Sequence, residues 1–200
     1  LHIKDTAYIN EIANSAVALA QARRGVVVAA GGDGTISAVA GAVLGSGCPF
    51  GVLPEGTFNY FGRDNAIPQD TEGAARALLG ASISPVQVGQ VNGRVFLVNA
   101  SVGLYPQLLE DREAWKKKWG RSRIVAFVSG IATLLKWRKQ LHLNIESAGQ
   151  TATLRTPTLF VGNNRLQLAR VGIDEKEIKA LQAGELAGIV VRPIGTLSML

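Results

Sequence analysis

Apolar and polar positions follow two different patterns along the chain. In the first part, apolar residues recur at helical spacing in residues 6–24 and again from Ile36 onward. The short apolar runs GVVVAA and FGVLP separate these segments and predict buried strands. A third helix is predicted after Asp70, a suitable N-cap, with Gly80 following its end. Strands alternating with helices predict a parallel sheet and an α/β domain.

Beyond about Ser84 the apolar residues alternate with polar ones at a period of two. The stretch SPVQVGQVNGRVFLVNAS predicts two strands around Asn92-Gly93, the dipeptide most typical of a tight hairpin. LHLNIESAGQTATLRTPTLFVGNN predicts a second pair that turns at 148–150, and LAGIVVR predicts a further strand. One helix is predicted between the hairpins, at about residues 122–139. The change of period predicts a domain boundary near Ser84 and a mainly antiparallel second part.

The composition is that of a globular protein, and the net charge indicates which classes of partner the chain could bind. The 200 residues are 47% hydrophobic and 18% charged, which excludes a disordered chain. The net charge of +6 suits an anionic partner such as a nucleotide, a phospholipid surface or nucleic acid.

The longest helical apolar run, IVAFVSGIATLL, has 12 residues, whereas a bilayer span needs about 20. The single cysteine, Cys48, has no intramolecular disulfide partner, and we expect a small buried thiol in a cytoplasmic protein. The first residue, Leu1, and the ending PIGTLSML predict that further elements precede and follow this sequence.

The segment GGDGT, residues 31–35, follows a predicted strand and precedes a predicted helix. Glycines there let the backbone turn sharply and approach a ligand, and the helix N-terminus favours phosphate. The carboxylate of Asp33 would repel phosphate unless it held a cation or oriented a hydroxyl group, so it indicates phosphate chemistry. The segment is not a P-loop, and a dinucleotide fingerprint starting at Gly32 would place its third glycine at Ser37. The alternative is a tight turn with an N-capping aspartate.

A second polar glycine loop follows the next strand. In GVLPEGTFNYFGR, Thr57 and Asn59 can hydrogen-bond a nucleotide and Arg63 can pair with phosphate. Because consecutive parallel strands end at one edge of a sheet, the two loops should meet there, where α/β folds bind ligands.

These paired motifs resemble the diacylglycerol kinase catalytic domain, whose usual pattern is G-G-D-G-T followed by L-P-x-G-T-x-N-D-F-A-R. The looser matches VNASVGLYP, VGNNR and GELAGIVVRP extend the resemblance over nearly the whole chain. It implies an NAD kinase-like α/β domain, residues 1–84, with a parallel sheet. An antiparallel β-sandwich domain carrying one long helix, residues 85–200, would follow, with the active site in the cleft between the two.

The resemblance also implies a reaction, in which a lipid hydroxyl group attacks the γ-phosphate of ATP while Mg²⁺ neutralises charge. Asp33 is expected to be catalytic. The residues expected to bind the nucleotide are Gly31, Gly32, Gly34, Thr35, Gly56, Thr57, Asn59 and Arg63.

Three departures from the family pattern concern polar residues. Ser37 and Ala38 stand where the family usually has Asn-Glu, and Tyr60 replaces the aspartate of N-D-F. In AGELAG, residues 183–188, alanines occupy both positions where family members carry acids thought to activate the lipid hydroxyl. Glu185 is therefore the candidate general base, and the alternative for it is a solvent-facing turn residue.

The lipid side is predicted from DREAWKKKWGRSR, which carries six positive and two negative charges. Tryptophans four residues apart with basic neighbours suit a membrane interface, and a solvated loop with both tryptophans on the core is the alternative. The next helix is expected to cover the sheet, or to line an acyl pocket with Leu104, Tyr105 and Leu108. The residues expected to contact lipid or membrane are Tyr105, Trp115, Lys116, Lys117, Lys118 and Trp119.

The leading hypothesis is thus a cytoplasmic lipid kinase that acts on diacylglycerol or a related lipid, peripherally at the inner membrane surface. The alternatives are a kinase of a soluble substrate such as NAD or a sugar phosphate, and a lipid- or nucleotide-binding protein that has lost catalysis. Nucleic acid is not an expected partner, because no aromatic-basic strand pattern of an RNA-binding sheet occurs. The oligomeric state stays open, and a homo-oligomer is compatible with the sequence.

Overall fold

A computed structural model of the chain describes residues 8–103, 140–147, 149–170, 172–181 and 184–190. The predicted helix at 122–139 and all six residues expected to contact lipid lie outside this part, as do Leu104 and Leu108. The described helices are α1 (Ile9–Arg23), α2 (Asp33–Val43), α3 (Tyr60–Asp64), α4 (Thr71–Leu79), α5 (Arg165–Arg170) and α6 (Glu175–Ala180). The described strands are β1 (Val27–Gly31), β2 (Phe50–Pro54), β3 (Gly89–Val91), β4 (Arg94–Phe96), β5 (Asn99–Gly103), β6 (Leu141–Ser147), β7 (Gln150–Thr156), β8 (Thr158–Gly162) and β9 (Ala187–Val190).

The first strands and helices form the α/β arrangement that the apolar pattern predicts. β1 and β2 pair in parallel, in register from Val27 opposite Phe50 to Gly31 opposite Pro54, so both strands end at the same edge. Asp70 caps α4 as predicted, because its Oδ1 accepts a hydrogen bond of 2.7 Å from the backbone N–H of Gly73. The core lies between α1, α2 and the strands, and its largest fully buried side chain is Ile36.

The prediction of a buried strand holds for one face of β1 only. Val27 and Ala29 are buried, whereas Val28 is 42% exposed and Ala30 is exposed as well. A parallel strand reads as continuously apolar when helices cover both faces of its sheet. In the described structure the core covers one face of β1, so its burial alternates as in a half-exposed strand.

The hairpins form at the predicted turns. β3 and β4 pair antiparallel around Asn92-Gly93, whose φ angles of 49° and 76° are both positive, as a type I′ turn requires. β6 and β7 pair antiparallel from Leu141 opposite Thr156 to Ser147 opposite Gln150. A further three-stranded sheet has the order β5-β8-β9.

The chain divides into two compact units. One comprises Leu1–Ala100 and Gly162–Ala187 and holds α1 to α6 with β1 to β4; the other comprises Ser101–Val161 and Gly188–Leu200 and holds β6 and β7. The predicted division into domains 1–84 and 85–200 stays a prediction. No helix within the described ranges is long and apolar enough to cross a membrane.

Candidate functional site

The two glycine loops meet at the shared edge of β1 and β2. The backbone N–H of Glu55 donates to the carbonyl of Gly31 at 2.9 Å. A Cβ atom on Gly56 would lie 2.5 Å from the Cα of Gly32, and one on Gly32 would lie 3.3 Å from the Cα of Gly56. The backbones of the two loops therefore touch, which explains the glycines on both sides. The prediction that the loops converge is confirmed.

The first loop leads directly into α2 and leaves backbone donors at its start. The first bond of the helix runs from the N–H of Ile36 to the carbonyl of Gly32, at 3.0 Å. Among the described residues, no group accepts from the amides of 33–35. Gly34 is exposed, and a Cβ there would meet no atom within 4 Å. Free amides beside open space at a helix N-terminus suit a bound anion.

The carboxylate of Asp33 joins the first loop to the helix that follows the second. Its Oδ2 accepts from the N–H of Tyr60 at 3.1 Å, and its Oδ1 accepts from the N–H of Phe61 at 3.0 Å. Both oxygens therefore hold the first residues of α3. Asp33 has a definite structural role at the point where the loops meet, and its catalytic role stays a prediction.

Asn59 shapes the second loop from within. It is 5% exposed, its φ is 50°, and its Oδ1 accepts from the N–H of Gly56 at 2.8 Å. Asparagine tolerates this left-handed conformation better than most residues do, which explains its place before α3. The side chain of Thr35 lies against Gly31, whereas Thr57 and Arg63 are exposed where a ligand can reach them.

A polar residue that follows a third strand also contacts α3, and it was not among the predicted site residues. Asn164, 1% exposed, follows β8. Its Nδ2 donates to the carbonyl of Tyr60 at 3.0 Å, and its Oδ1 accepts from the N–H of Gln167 at 2.9 Å. Asp33 thus holds the N–H of Tyr60 and Asn164 holds its carbonyl. The signal was present, since VGNN lies between a strand and a helix just as the glycine loops do.

Tyr60 stands where the N-D-F pattern has an aspartate, and its ring stacks on that of Phe58. The rings of Phe58 and Tyr60 lie 5.7 Å apart at 12°, and the guanidinium carbon of Arg170 lies 5.4 Å from the centre of the Tyr60 ring. Phe58 is 57% exposed. Ser37 is a second position at which the chain departs from the family pattern. Its hydroxyl oxygen accepts from the N–H of Leu97 at 3.4 Å, so this side chain links α2 to the residue after β4.

Glu185 lines a cavity of about 260 Å³ beside α3. None of the described residues lining this cavity belongs to either glycine loop, but Phe61, whose N–H is held by Asp33, does line it. Phe61 thus contacts Asp33 and also lines the cavity, and no hydrogen bond between Asp33 and Glu185 occurs among the described residues. Ala187 begins β9, and Ala183 lies outside the described residues. The polar residues lining the cavity are Asp64, Asn65, Gln87, Asn163, Asn164, Arg165 and Glu185.

Comparisons with known proteins agree with the motifs. Residues 1–91 match the family model described as the diacylglycerol kinase catalytic domain. A diacylglycerol kinase from Bacillus subtilis is 39% identical over 89 residues, covering 43% of this chain and 29% of the relative. A diacylglycerol kinase from Staphylococcus aureus is 30% identical over 139 residues, covering 68% of this chain and 44% of the relative. The chain therefore matches less than half the length of either relative.

The fold agrees as well. The crystal structure of a diacylglycerol kinase from Bacillus anthracis matches 82% of this chain and 52% of its own, with a TM-score of 0.57 and 22% identity. That likeness concerns the mixed α/β fold alone, while the family model matches residues 1–91. Residues 1–91, which contain both loops, are thus similar to the diacylglycerol kinase catalytic domain.

Proposed function

We propose that the chain is part of an ATP-dependent lipid kinase, which transfers the γ-phosphate of ATP to the hydroxyl group of diacylglycerol or a related lipid. The observation that carries the proposal is the contact between Gly32 and Gly56, which brings both family motifs to one sheet edge. The family match and the names of the relatives support the reaction class.

In this proposal the phosphates of ATP bind to the amides of 33–35. Phosphoryl transfer depends on positioning and on compensation of negative charge, and backbone donors at a helix N-terminus supply both. Thr57 would hydrogen-bond the nucleotide from the second loop, and the exposed guanidinium of Arg63 would pair with phosphate. Asp33 and Asn59 would act by keeping the two loops in contact.

We propose that Mg²⁺ arrives with the nucleotide. Among the described residues, no group of three or more histidine, cysteine, aspartate and glutamate side chains could hold a metal ion. Magnesium in phosphoryl-transfer sites binds through one or two carboxylates, substrate phosphates and waters, so such a cluster is not required. Asp33 is a carboxylate of the first glycine loop that could take part.

For the acceptor side, we propose that Glu185 accepts the proton of the lipid hydroxyl group. It lines the cavity together with Asp64 and Arg165, so a small polar head group could lie against charged and amide side chains there. The basic segment 111–123 with Trp115 and Trp119 is proposed as the contact with the membrane surface. The NAD kinase-like domain followed by a β-sandwich remains part of this proposal.

The test separates nucleotide binding from folding. The Cβ atom of an alanine at position 34 should occupy the open space beside the free amides. Within a helix, alanine is more stabilising than glycine by about 0.5–1 kcal/mol, so the change should not impair folding. Gly34→Ala should therefore fold as well as the wild type and bind ATP at least about tenfold more weakly. Gly80→Ala is the matched control, because a Cβ there also meets no atom within 4 Å.

The assay is transfer of labelled phosphate from ATP to mixed vesicles containing diacylglycerol, with Mg²⁺ and the full-length protein. The proposal expects a labelled lipid with wild type and Gly80→Ala and little label with Gly34→Ala. Label only in a soluble acceptor would favour the soluble-substrate kinase. Nucleotide binding with no transfer to any acceptor would favour a protein that binds without catalysis.

A further inference from the structure

The side-chain amide of Gln87 contacts two consecutive residues of a distant turn. Its Oε1 accepts from the backbone N–H of Gly184 at 2.6 Å, and its Nε2 donates to the backbone carbonyl of Glu185 at 2.7 Å. An amide side chain offers one acceptor and two donors, so it can bind both backbone groups at once. Gln87 thus binds the backbone at both ends of the Gly184–Glu185 dipeptide, which includes the Cα atom that carries the side chain of Glu185.

Asn163 holds Gln87 in turn. The Nε2 of Gln87 donates to the Oδ1 of Asn163 at 2.9 Å, and the Nδ2 of Asn163 donates back to the carbonyl of Gln87 at 2.9 Å. Asn163 is itself fixed to residues after β4, through its Nδ2 to the carbonyl of Leu97 at 3.0 Å and its N–H to the carbonyl of Val98 at 2.8 Å. Leu97 and Val98 are 3% and 6% exposed, so the network is anchored in the core.

The turn that carries Glu185 lies at the surface. Gly184 has a φ of 93°, and residues 184–186 are exposed. Gln87 and Asn163 both line the cavity that Glu185 lines. Hydrogen bonds from a core-anchored side chain to two adjacent backbone groups remove much of the freedom of that turn.

We propose that Gln87 is a positioning residue, which fixes the turn at 184–185 and thereby holds Glu185 at the cavity. The catalytic meaning of this placement rests on the proposed function. Glutamine is required at the position because the site needs an acceptor for Gly184 and a donor for the carbonyl of Glu185. Glutamate would keep the acceptor and place a carboxylate oxygen against that carbonyl, and leucine would remove both bonds.

The experiment compares Gln87→Leu and Gln87→Glu with Gln90→Leu in the full-length protein. Gln90 is an exposed glutamine three residues away in β3, so its replacement controls for general effects on the hairpin. The first readout is amide hydrogen exchange in peptides that contain Gly184. Exchange there should be at least about tenfold faster in Gln87→Leu, less accelerated in Gln87→Glu, which keeps the acceptor for Gly184, and unchanged in Gln90→Leu.

The second readout is the kinetics of lipid phosphorylation. Because displacement of a catalytic group by about 1 Å can cost about a hundredfold in rate, kcat should fall roughly 10- to 100-fold in both Gln87 variants. The KM for ATP should stay constant, since the glycine loops are not touched. A residue that only stabilises the fold would lower the melting temperature without this split between kcat and KM.

Unchanged exchange at Gly184 in Gln87→Leu would overturn the inference, and so would an unchanged kcat in an active enzyme. If the wild type transfers no phosphate at all, the proposed kinase function fails. The exchange measurement then still decides whether Gln87 fixes the turn.

Discussion

Replacement of Asp33 tests whether its carboxylate joins the two glycine loops. Asp33→Ala leaves the backbone N–H groups of Tyr60 and Phe61 without their acceptor. Tyr60 is half-buried, so water can replace part of the lost bond, at a cost of about 1 kcal/mol. Phe61 is 7% exposed, and an unsatisfied buried donor costs about 1–3 kcal/mol.

The expected loss of stability for Asp33→Ala is therefore about 2–4 kcal/mol, which corresponds to roughly 5–15 °C in melting temperature for a chain of this size. Asp33→Asn keeps one acceptor oxygen and should lose about 1–2 kcal/mol. Asp70→Ala is the matched control, because that carboxylate caps α4 through a bond to the N–H of Gly73 and is not an acceptor for Tyr60 or Phe61. It should lose about 1 kcal/mol and leave nucleotide binding intact.

The assay is urea denaturation of the three variants and the wild type, followed by circular dichroism, with nucleotide affinity measured under native conditions. Asp33→Ala should be the least stable of the set. Wild-type stability in Asp33→Ala combined with complete loss of phosphate transfer would contradict this structural role of Asp33. Asp33 would then act on the substrate and would not be needed to hold α3.

Two further predictions concern the packing around the same edge. Gly56→Ala should lose about 1–3 kcal/mol of stability by urea denaturation, because the new Cβ would lie 2.5 Å from the Cα of Gly32 and 2.7 Å from the Oδ1 of Asn59; wild-type stability would mean that the loops do not touch in solution. Ile36, 0% exposed, should lose about 0.5–1.5 kcal/mol as valine and about 2–5 kcal/mol as alanine in the same assay. Equal losses for both changes at Ile36 would contradict the close packing of α2 on the core.

Local patterns predicted the elements whose formation depends on neighbouring residues. The parallel pair β1–β2, the helices that follow it and the turn at Asn92-Gly93 could all be read from apolar spacing and turn chemistry. The convergence of the glycine loops also followed from the sequence, because two parallel strands in register must end at one edge. The exposure of Val28 and Ala30 on one face of β1 did not follow from the apolar run, because the covering of a face depends on which other elements pack there.

The distribution of roles among the site residues depended on tertiary contacts. The sequence indicated phosphate chemistry for Asp33, and only the fold showed that both its carboxylate oxygens hold the start of α3. Asn164 and Gln87 act across separations of 104 and 98 residues, and no local pattern encodes such a pairing.

By itself, then, the sequence determined the two glycine loops, the strand–loop–helix order around them and the similarity of residues 1–91 to the diacylglycerol kinase catalytic domain. Those features depend on backbone conformations that glycine, asparagine and apolar periodicity specify locally. The tertiary structure alone decided which polar side chains are exposed at the loops and which hold the loops in place. A side chain becomes structural or reactive according to the donors and acceptors that distant segments bring within hydrogen-bonding distance, and that depends on the packing of the whole unit.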